Sequence, residues 1–490
     1  MIQQVRLAGR RIVASLQKYG KFVGPGIMVS IAYMDPGNYS TDIAAGATLR
    51  YWLLFVVLLS NLIAMYLQSL AIKLGTVTGN DLAVACKQNL NKYVVYMLYV
   101  FAEAAIICTD IAEVIGTAIA LNILLHIPLM AGVVITIVDV ILVLMAYRPG
   151  KGMAAVRIFE YVVAILVFGV IICFAVLLAR IPSQDVGLIF RGYLPSKHVI
   201  EGEAMYEACG ILGATVMPHS LYLGSGLVRP RVRDYDIKQG YISGEEEDDP
   251  IANDKYRPSL GAIRYALKYS ILETVVSLCT MALFVNSAIL IVAGATMYGD
   301  DKAADADLYG IYDILSSLLS KAAGTIFMIA LLFSGQSAGI ICTISGQIVC
   351  EGHLNWTIRP WVRRITTRLI AIIPCIVVTA AVGRSGLNAT LNASQVALSI
   401  LLPFLTAPLI YLTCLRRVMS VRTLDTSAHQ TQSSQESTAP DKEAEGDSSS
   451  AVSIIDMSNN WLTMILGVAI WLFICVLNVY LIVHLGLYGE

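Results

Sequence analysis

The sequence predicts an all-α polytopic membrane protein with about eleven transmembrane helices, helices 1 and 6 being broken. Three observations carry that expectation. The 490 residues are 57% hydrophobic and only 14% charged, against about 25% charged in soluble domains. Apolar runs of about 20 residues, long enough to cross a bilayer as helix, recur along the whole chain. Two of those runs are interrupted by a proline beside polar side chains, "AYMDPGNYSTD" at 32–42 and "GATVMPHSLYLGSG" at 213–226.

Taken in order, the apolar runs fall at 24–45, 51–75, 96–121, 127–147, 156–180, 207–228, 265–296, 322–350, 367–383, 392–415 and 459–486. Helices are expected throughout, because lipid offers the backbone no partner and the alternation of a barrel strand is missing. The basic segment 1–23, with Arg6, Arg10 and Arg11, reads as a cytoplasmic lead-in rather than a cleavable signal. With the N-terminus inside, Lys87, Arg148, Lys151, Arg229, Arg231, Arg363, Arg364, Arg416 and Arg417 also fall inside. The loop "YGDDKAADADLYG" then falls outside and is net acidic, as the positive-inside rule requires.

The expected organisation is a helical block over 24–180, a second over 207–415 and an additional helix at 459–486. An acidic cytoplasmic insert at 241–259 and a linker at 416–458 are polar enough to be expected disordered. Sequons at Asn388 and Asn392 are expected in an outer loop. A formal net charge of −1 gives no basic field for nucleic acid. The ten cysteines lack disulfide or zinc spacing and read as small buried hydrophobes. A phosphate-binding GxxxxGK[ST] loop is absent and no hydrolase or kinase motif appears, so an enzyme is not expected.

Interrupted helices at corresponding positions of two halves point to a site at the bilayer midplane. Asp35 and Asn38 offer hard oxygens, Ala214 a carbonyl where the helix unwinds, and Met217 a thioether. That mixture suits a divalent transition-metal ion better than Mg²⁺ or Ca²⁺, which prefer all-oxygen shells. An aspartate at the bilayer centre costs roughly 2.5–3.5 kcal/mol on insertion scales and so marks function. Each residue also has a plainer reading: Pro-Gly as a kink, Asp35 and Asn38 as a helix cap, Met217 as packing, His219 as a satisfied core histidine. Glu103, Asp110 and Glu113 share one stripe of the third span, and Arg363, Arg364 and Arg368 begin the ninth. Facing charges of this kind form a polar path or a static ion-pair network.

"DPGN" at 35–38 and "MPH" at 217–219 resemble the two signature motifs of the Nramp divalent metal transporters. The likeness extends through "GPGIMVSIAYMDPGNYSTDIAAGA", "CTDIAEVIGTAIALN", "ALLFSGQSAGI", "GQIVCEGHLNW" and "SQVALSILLPF", and "YRPSLGAIRYALKYS" is similar to the fungal branch. The resemblance implies a LeuT-like 5+5 inverted repeat and proton-coupled movement of Mn²⁺, Fe²⁺ and similar ions towards the cytoplasm by alternating access. It implies Asp35, Asn38, Met217 and the Ala214 carbonyl as metal ligands, joined by Gln395 in some conformations. It also implies a proton route through Asp35, Glu103, Asp110, Glu113, Arg363 and Arg364, with His219 as modulator. One departure is Gly224, where family members often carry histidine.

On this reading the metal and protons are transported substrates rather than cofactors, and the lipid bilayer is the surrounding partner. The plasma membrane and endomembrane vesicles are equally compatible, and oligomeric state stays open. A metal-sensing receptor, or a LeuT-like symporter of another small solute, remain the alternatives.

Overall fold

The computed structural model describes residues 24–136, 153–199, 204–242, 256–299, 308–354, 360–381, 384–424 and 452–488. Among them, helix accounts for everything but one strand pair and the connecting turns. The first half contains α1 (Pro25–Ile31), α2 (Pro36–Leu49), α3 (Leu54–Thr78), α4 (Leu82–Asn89), α5 (Lys92–Leu125), α6 (Met153–Leu178) and α7 (Val186–Gly192). The second contains α8 (Ala204–Thr215), α9 (Pro218–Leu227), α10 (Arg229–Lys238), α11 (Leu260–Ser277), α12 (Leu283–Thr296), α13 (Leu308–Leu318), α14 (Lys321–Leu354), α15 (Pro360–Ala381) and α16 (Arg384–Cys414). After these come α17 (Arg416–Met419), β1 (Ser420–Leu424), β2 (Val452–Asp456) and α18 (Trp461–Tyr488).

Eight helices among the described residues are long and apolar enough to cross a membrane, which makes this a polytopic membrane protein. Three further expected spans fall outside that count. The first is divided into pieces of 7 and 14 residues. The fourth runs into residues outside the described set from 137 onward, and the ninth does so at 382–383.

Local chemistry sets the ends. Asp81 caps α4 by accepting from the Val84 N–H at 3.0 Å, and Asn91 caps α5 by accepting from Tyr93 at 3.0 Å. Gly79 closes α3 in the left-handed conformation, φ 71°, with its N–H on the Gly75 carbonyl at 3.0 Å. Between α11 and α12 the chain makes a π-helical turn, Leu278–Ala282, of the kind that recurs at functional sites.

Helices α5, α14 and α16 form the centre, with α2 lying along α12 and α3 packed on α9 and α11. Exposed apolar side chains crowd the outer faces of α6 and α18, among them Ile165, Phe168, Ile172, Leu462, Ile465 and Val476. Surfaces of that kind suit lipid contact rather than water.

Three expectations are corrected. The linker 416–458 is ordered at both ends, where the β-branched stretches "SVRTL" and "VSIID" pair antiparallel from Ser420 opposite Asp456 to Leu424 opposite Val452. This ribbon docks on α3 through Lys73, whose Nζ donates to Ser458 O at 3.2 Å and Asn459 Oδ1 at 2.9 Å. Hydrogen bonds from Ser458 hold the Asp456 carboxyl below its usual range.

The insert 241–259 is also ordered at its end, because Asp236 gathers it. Asp236 accepts from Tyr256 Oη at 2.7 Å, Ser259 N at 3.0 Å and Ser259 Oγ at 2.5 Å. Burial and the neighbouring Asp236 push the Tyr256 phenol upward. Thirdly, Asn388 and Asn392 lie within the helical backbone of α16 rather than in a loop. The lead-in 1–23 and the middles of both polar segments lie outside the described residues.

Candidate cation site

Proline has no N–H, so the carbonyl four residues before it loses its helical partner. Pro36 therefore releases Ala32, and Pro218 releases Ala214. The helix stops at Ile31 and resumes at Pro36, and it stops again at Thr215 and resumes at Pro218. Side chains from elsewhere hold the first gap open. Asn286 Nδ2 donates to the Tyr33 carbonyl at 3.0 Å, and Ser334 Oγ donates to that of Met34.

Asp35 becomes the N-cap of α2. Its Oδ2 accepts from Gly37 N at 3.1 Å and its Oδ1 from Asn38 N at 3.2 Å. The Asn38 carboxamide then spans the two gaps: Nδ2 donates to Asp35 Oδ1 at 2.6 Å and to the Ala214 carbonyl at 3.1 Å. Thr215 Oγ1 donates to Asn38 Oδ1 at 3.3 Å. Asp35, Asn38, Ala214 and Met217 are all 0% exposed, so this is an enclosed polar knot.

Met217 is the N-cap of α9, and its sulfur accepts from Thr109 Oγ1 at 3.9 Å. The same hydroxyl lies 3.5 Å from His219 Nδ1. Gln395 is buried beside Gly37, where an added Cβ would meet its Nε2 at 2.3 Å. Glycine is therefore required at 37 for the Gln395 amide to lie against the start of α2. Pro36 packs in turn on Gly116 of α5, where an added Cβ would lie 2.6 Å from the proline ring.

Asp110 and Glu113 are fully buried on α5, and their carboxylates lie within 4.8 Å of each other and of the Cys342 sulfur on α14. Glu103 stands on the same helix, half-buried. Arg363 and Arg364 occupy the start of α15, which packs along α5. The structure thus gathers Asp35, Asn38 and Ala214, and brings Met217 and His219 to Thr109, next to Asp110 in sequence.

Several participants escaped the sequence reading. Gln68 Nε2 donates to Tyr33 Oη, Ser220 O and Ser220 Oγ, each at 2.9 Å, and Ser220 Oγ donates to Met217 O at 2.6 Å. An added Cβ at Gly224 would meet Gln68 Oε1 at 2.0 Å, so Gln68 takes the space a side chain at 224 would need. Glu273 accepts from Gly24 N at 3.0 Å and Gly26 N at 2.7 Å, fixing the start of α1. Arg231 pairs with Glu160 at 3.2 Å, both side chains being 7% exposed. Asp42 is fully buried one turn beyond Asn38. Glu273, Glu160 and Asp42 all carried a signal, as acidic residues in or beside apolar runs.

Comparison with known proteins adds the following. The family model described as "Natural resistance-associated macrophage protein-like", Nramp, matches residues 26–429. The chain is 52% identical to the manganese transporter SMF1 of Saccharomyces cerevisiae, over 96% of this chain and 86% of that one. It is 49% identical to the iron transporter SMF3 of the same yeast, over 97% of this chain and 98% of that one. Its fold is similar to a crystal structure of the Eremococcus coleocola manganese transporter, with TM-score 0.74 and 29% identity, covering 96% of this chain and 88% of that one.

Proposed function

This chain belongs to the Nramp family, and on that premise we propose that it carries divalent transition-metal ions, Mn²⁺ or Fe²⁺, across a membrane towards the cytoplasm in company with protons. The observation that carries the proposal is the knot of Asp35, Asn38 and the Ala214 carbonyl between two helix interruptions, with Met217 buried at the start of the helix that resumes after the second. The relatives it matches are named as transporters, not enzymes.

In this arrangement the Asn38 –NH₂ group bridges Asp35 Oδ1 and the Ala214 carbonyl. It is a partial positive charge where a cation would link the same oxygens. Turning the amide end for end presents Oδ1 instead of Nδ2. Asp35, Asn38, the Ala214 carbonyl and the Met217 sulfur then supply three hard oxygens and one soft donor, with Gln395 joining from α16. The thioether favours a transition-metal ion over Ca²⁺.

Cation binding favours the ionised form of Asp35, so metal and proton compete there. The proton leaves by way of His219 and Thr109 to Asp110 and Glu113, with Glu103, Arg363 and Arg364 extending the path. Eleven spans, counting the first and sixth as broken helices, form two five-helix repeats of the LeuT-like kind over 24–180 and 207–415, with α18 outside them. The N-terminal segment 1–23, the insert and the linker face the cytoplasm.

Mn²⁺ uptake into proteoliposomes carrying an internal pH dye tests this. Wild type should show saturable uptake with acidification. Asp35→Asn keeps a capping oxygen but loses the charge, so the protein should fold and lose uptake. Saturable metal binding without flux would turn the reading to a receptor.

A further inference from the structure

We propose that a cavity beside the Asp35 knot, on its outer side, is a staging site for the incoming cation, and that Glu207 is the carboxylate that captures it. The proposal rests on the transport reading above. The cavity holds about 50 Å³, bounded by Ser40 and Thr41 of α2, Glu207 and Gly210 of α8, Gln395 of α16 and Leu481 of α18. That volume accepts a few waters, or one cation with part of its hydration shell.

Its chemistry changes with depth. Glu207 and Gly210 are partly exposed, whereas Gln395 is 1% exposed. Glu207 stands three residues into α8, seven positions ahead of Ala214, or about 10 Å along a helix. With α8 running inward, Glu207 is at the mouth and the knot lies below. Gln395 forms the floor, since its amide lies against Gly37 at the start of α2. Its Oε1 is buried without a hydrogen-bond partner, an unusual cost for a polar atom, and one that a cation or its bound water would relieve.

The donors are a carboxylate, two hydroxyls and a carboxamide oxygen. All are hard; the Cys209 thiol also lines the cavity, but it donates to the Leu477 carbonyl at 3.7 Å. Such a site collects divalent cations by charge and does not separate Mn²⁺ from Ca²⁺. Selection by softness waits for Met217, one layer deeper. Leu481 gives α18 a part in this, as a wall supplied from outside the two repeats.

The test is initial-rate Mn²⁺ uptake by the full chain in proteoliposomes, with Ca²⁺ as competitor. Removing one negative charge at the mouth should raise KM on the order of tenfold in Glu207→Gln, leaving kcat and the Mn²⁺/Ca²⁺ preference unchanged. Glu207→Asp should keep KM near wild type. Thr41→Val, an independent variant that removes one hydroxyl, should raise KM by a smaller factor. A wild-type KM in Glu207→Gln overturns the proposal. So does a loss of kcat shared by Glu207→Gln and Glu207→Asp, which marks a structural role. Failure of wild type to take up Mn²⁺ would instead sink the transport reading itself.

Discussion

At the first interruption four residues, Ala32 to Asp35, separate two helices; at the second, only Val216 and Met217 do. Both begin from a proline four residues after an alanine. The first gap is propped by two other helices, through Asn286 on α12 and Ser334 on α14. The second is held through the first, because the Ala214 carbonyl receives Asn38 Nδ2. Gln68 adds a tie from α3 by way of Ser220. The first gap therefore acts as a mounted frame that carries the hard ligands. The second is coupled to it by the Asn38 carboxamide and by the Tyr33–Ser220 hydroxyl pair that Gln68 joins, and contributes the soft ligand and a backbone oxygen.

That contrast breaks most visibly at Met217. Its side chain is 0% exposed, and its sulfur accepts from the Thr109 hydroxyl. Met217→Ala should lower stability by about 2–5 kcal/mol, the range for truncating buried methionine. Because the hard ligands stay in their frame, residual uptake should remain and Ca²⁺ should become an effective competitor. Thermal melting in detergent and competition uptake measure the two effects separately. Retained discrimination against Ca²⁺ would assign selectivity to the first gap instead.

Next in size is Gly224→Ala. The new Cβ would meet Gln68 Oε1 at 2.0 Å, and Gln68 is anchored by three hydrogen bonds, so it does not swing aside freely. Overpacking of this kind costs about 1–3 kcal/mol. Adding Gln68→Ala should recover part of the loss if the collision is the cause, giving a non-additive double-mutant cycle. Strict additivity would separate Gln68 from the second gap.

On the first gap the corresponding probe is Ser334→Ala. It leaves the Met34 carbonyl buried without its donor, a loss of about 1–3 kcal/mol. Asn286 still holds the Tyr33 carbonyl, so metal selectivity should not change. A shift in Mn²⁺/Ca²⁺ preference would show that the frame is less rigid than its two props imply.

The two gaps were legible in the sequence because proline removes a donor at a fixed offset, and "DPGN" and "MPH" put the ligands beside it. Their props were not. Ser334 lies 300 residues from Met34, and Asn286 lies 253 from Tyr33; a serine or asparagine in an apolar run does not announce which distant carbonyl it meets. Glu273 was visible as an acid within an apolar run, but that it binds the first turn of α1 depends on how α11 packs. The strand pair escaped for the opposite reason. Its five-residue strands flank a long polar stretch whose composition dominated the reading, although Val421, Thr423, Val452, Ile454 and Ile455 carry a β-branched signal.

The finest test of the coupling between the gaps is Thr215→Val. Thr215 Oγ1 donates to Asn38 Oδ1 at 3.3 Å, a long bond, while Asn38 Nδ2 faces Asp35 and Ala214 at 2.6 and 3.1 Å. If cation binding turns the amide, Oδ1 must leave Thr215 and the bond opposes the turn. Its removal should change stability by less than about 1 kcal/mol and lower the KM for Mn²⁺ by less than about fivefold, by the conversion of 1.4 kcal/mol per factor of ten. The sign decides the matter. A higher KM would mean that Thr215 holds Asn38 in its binding orientation, so that the second gap shapes the ligand on the first rather than following it.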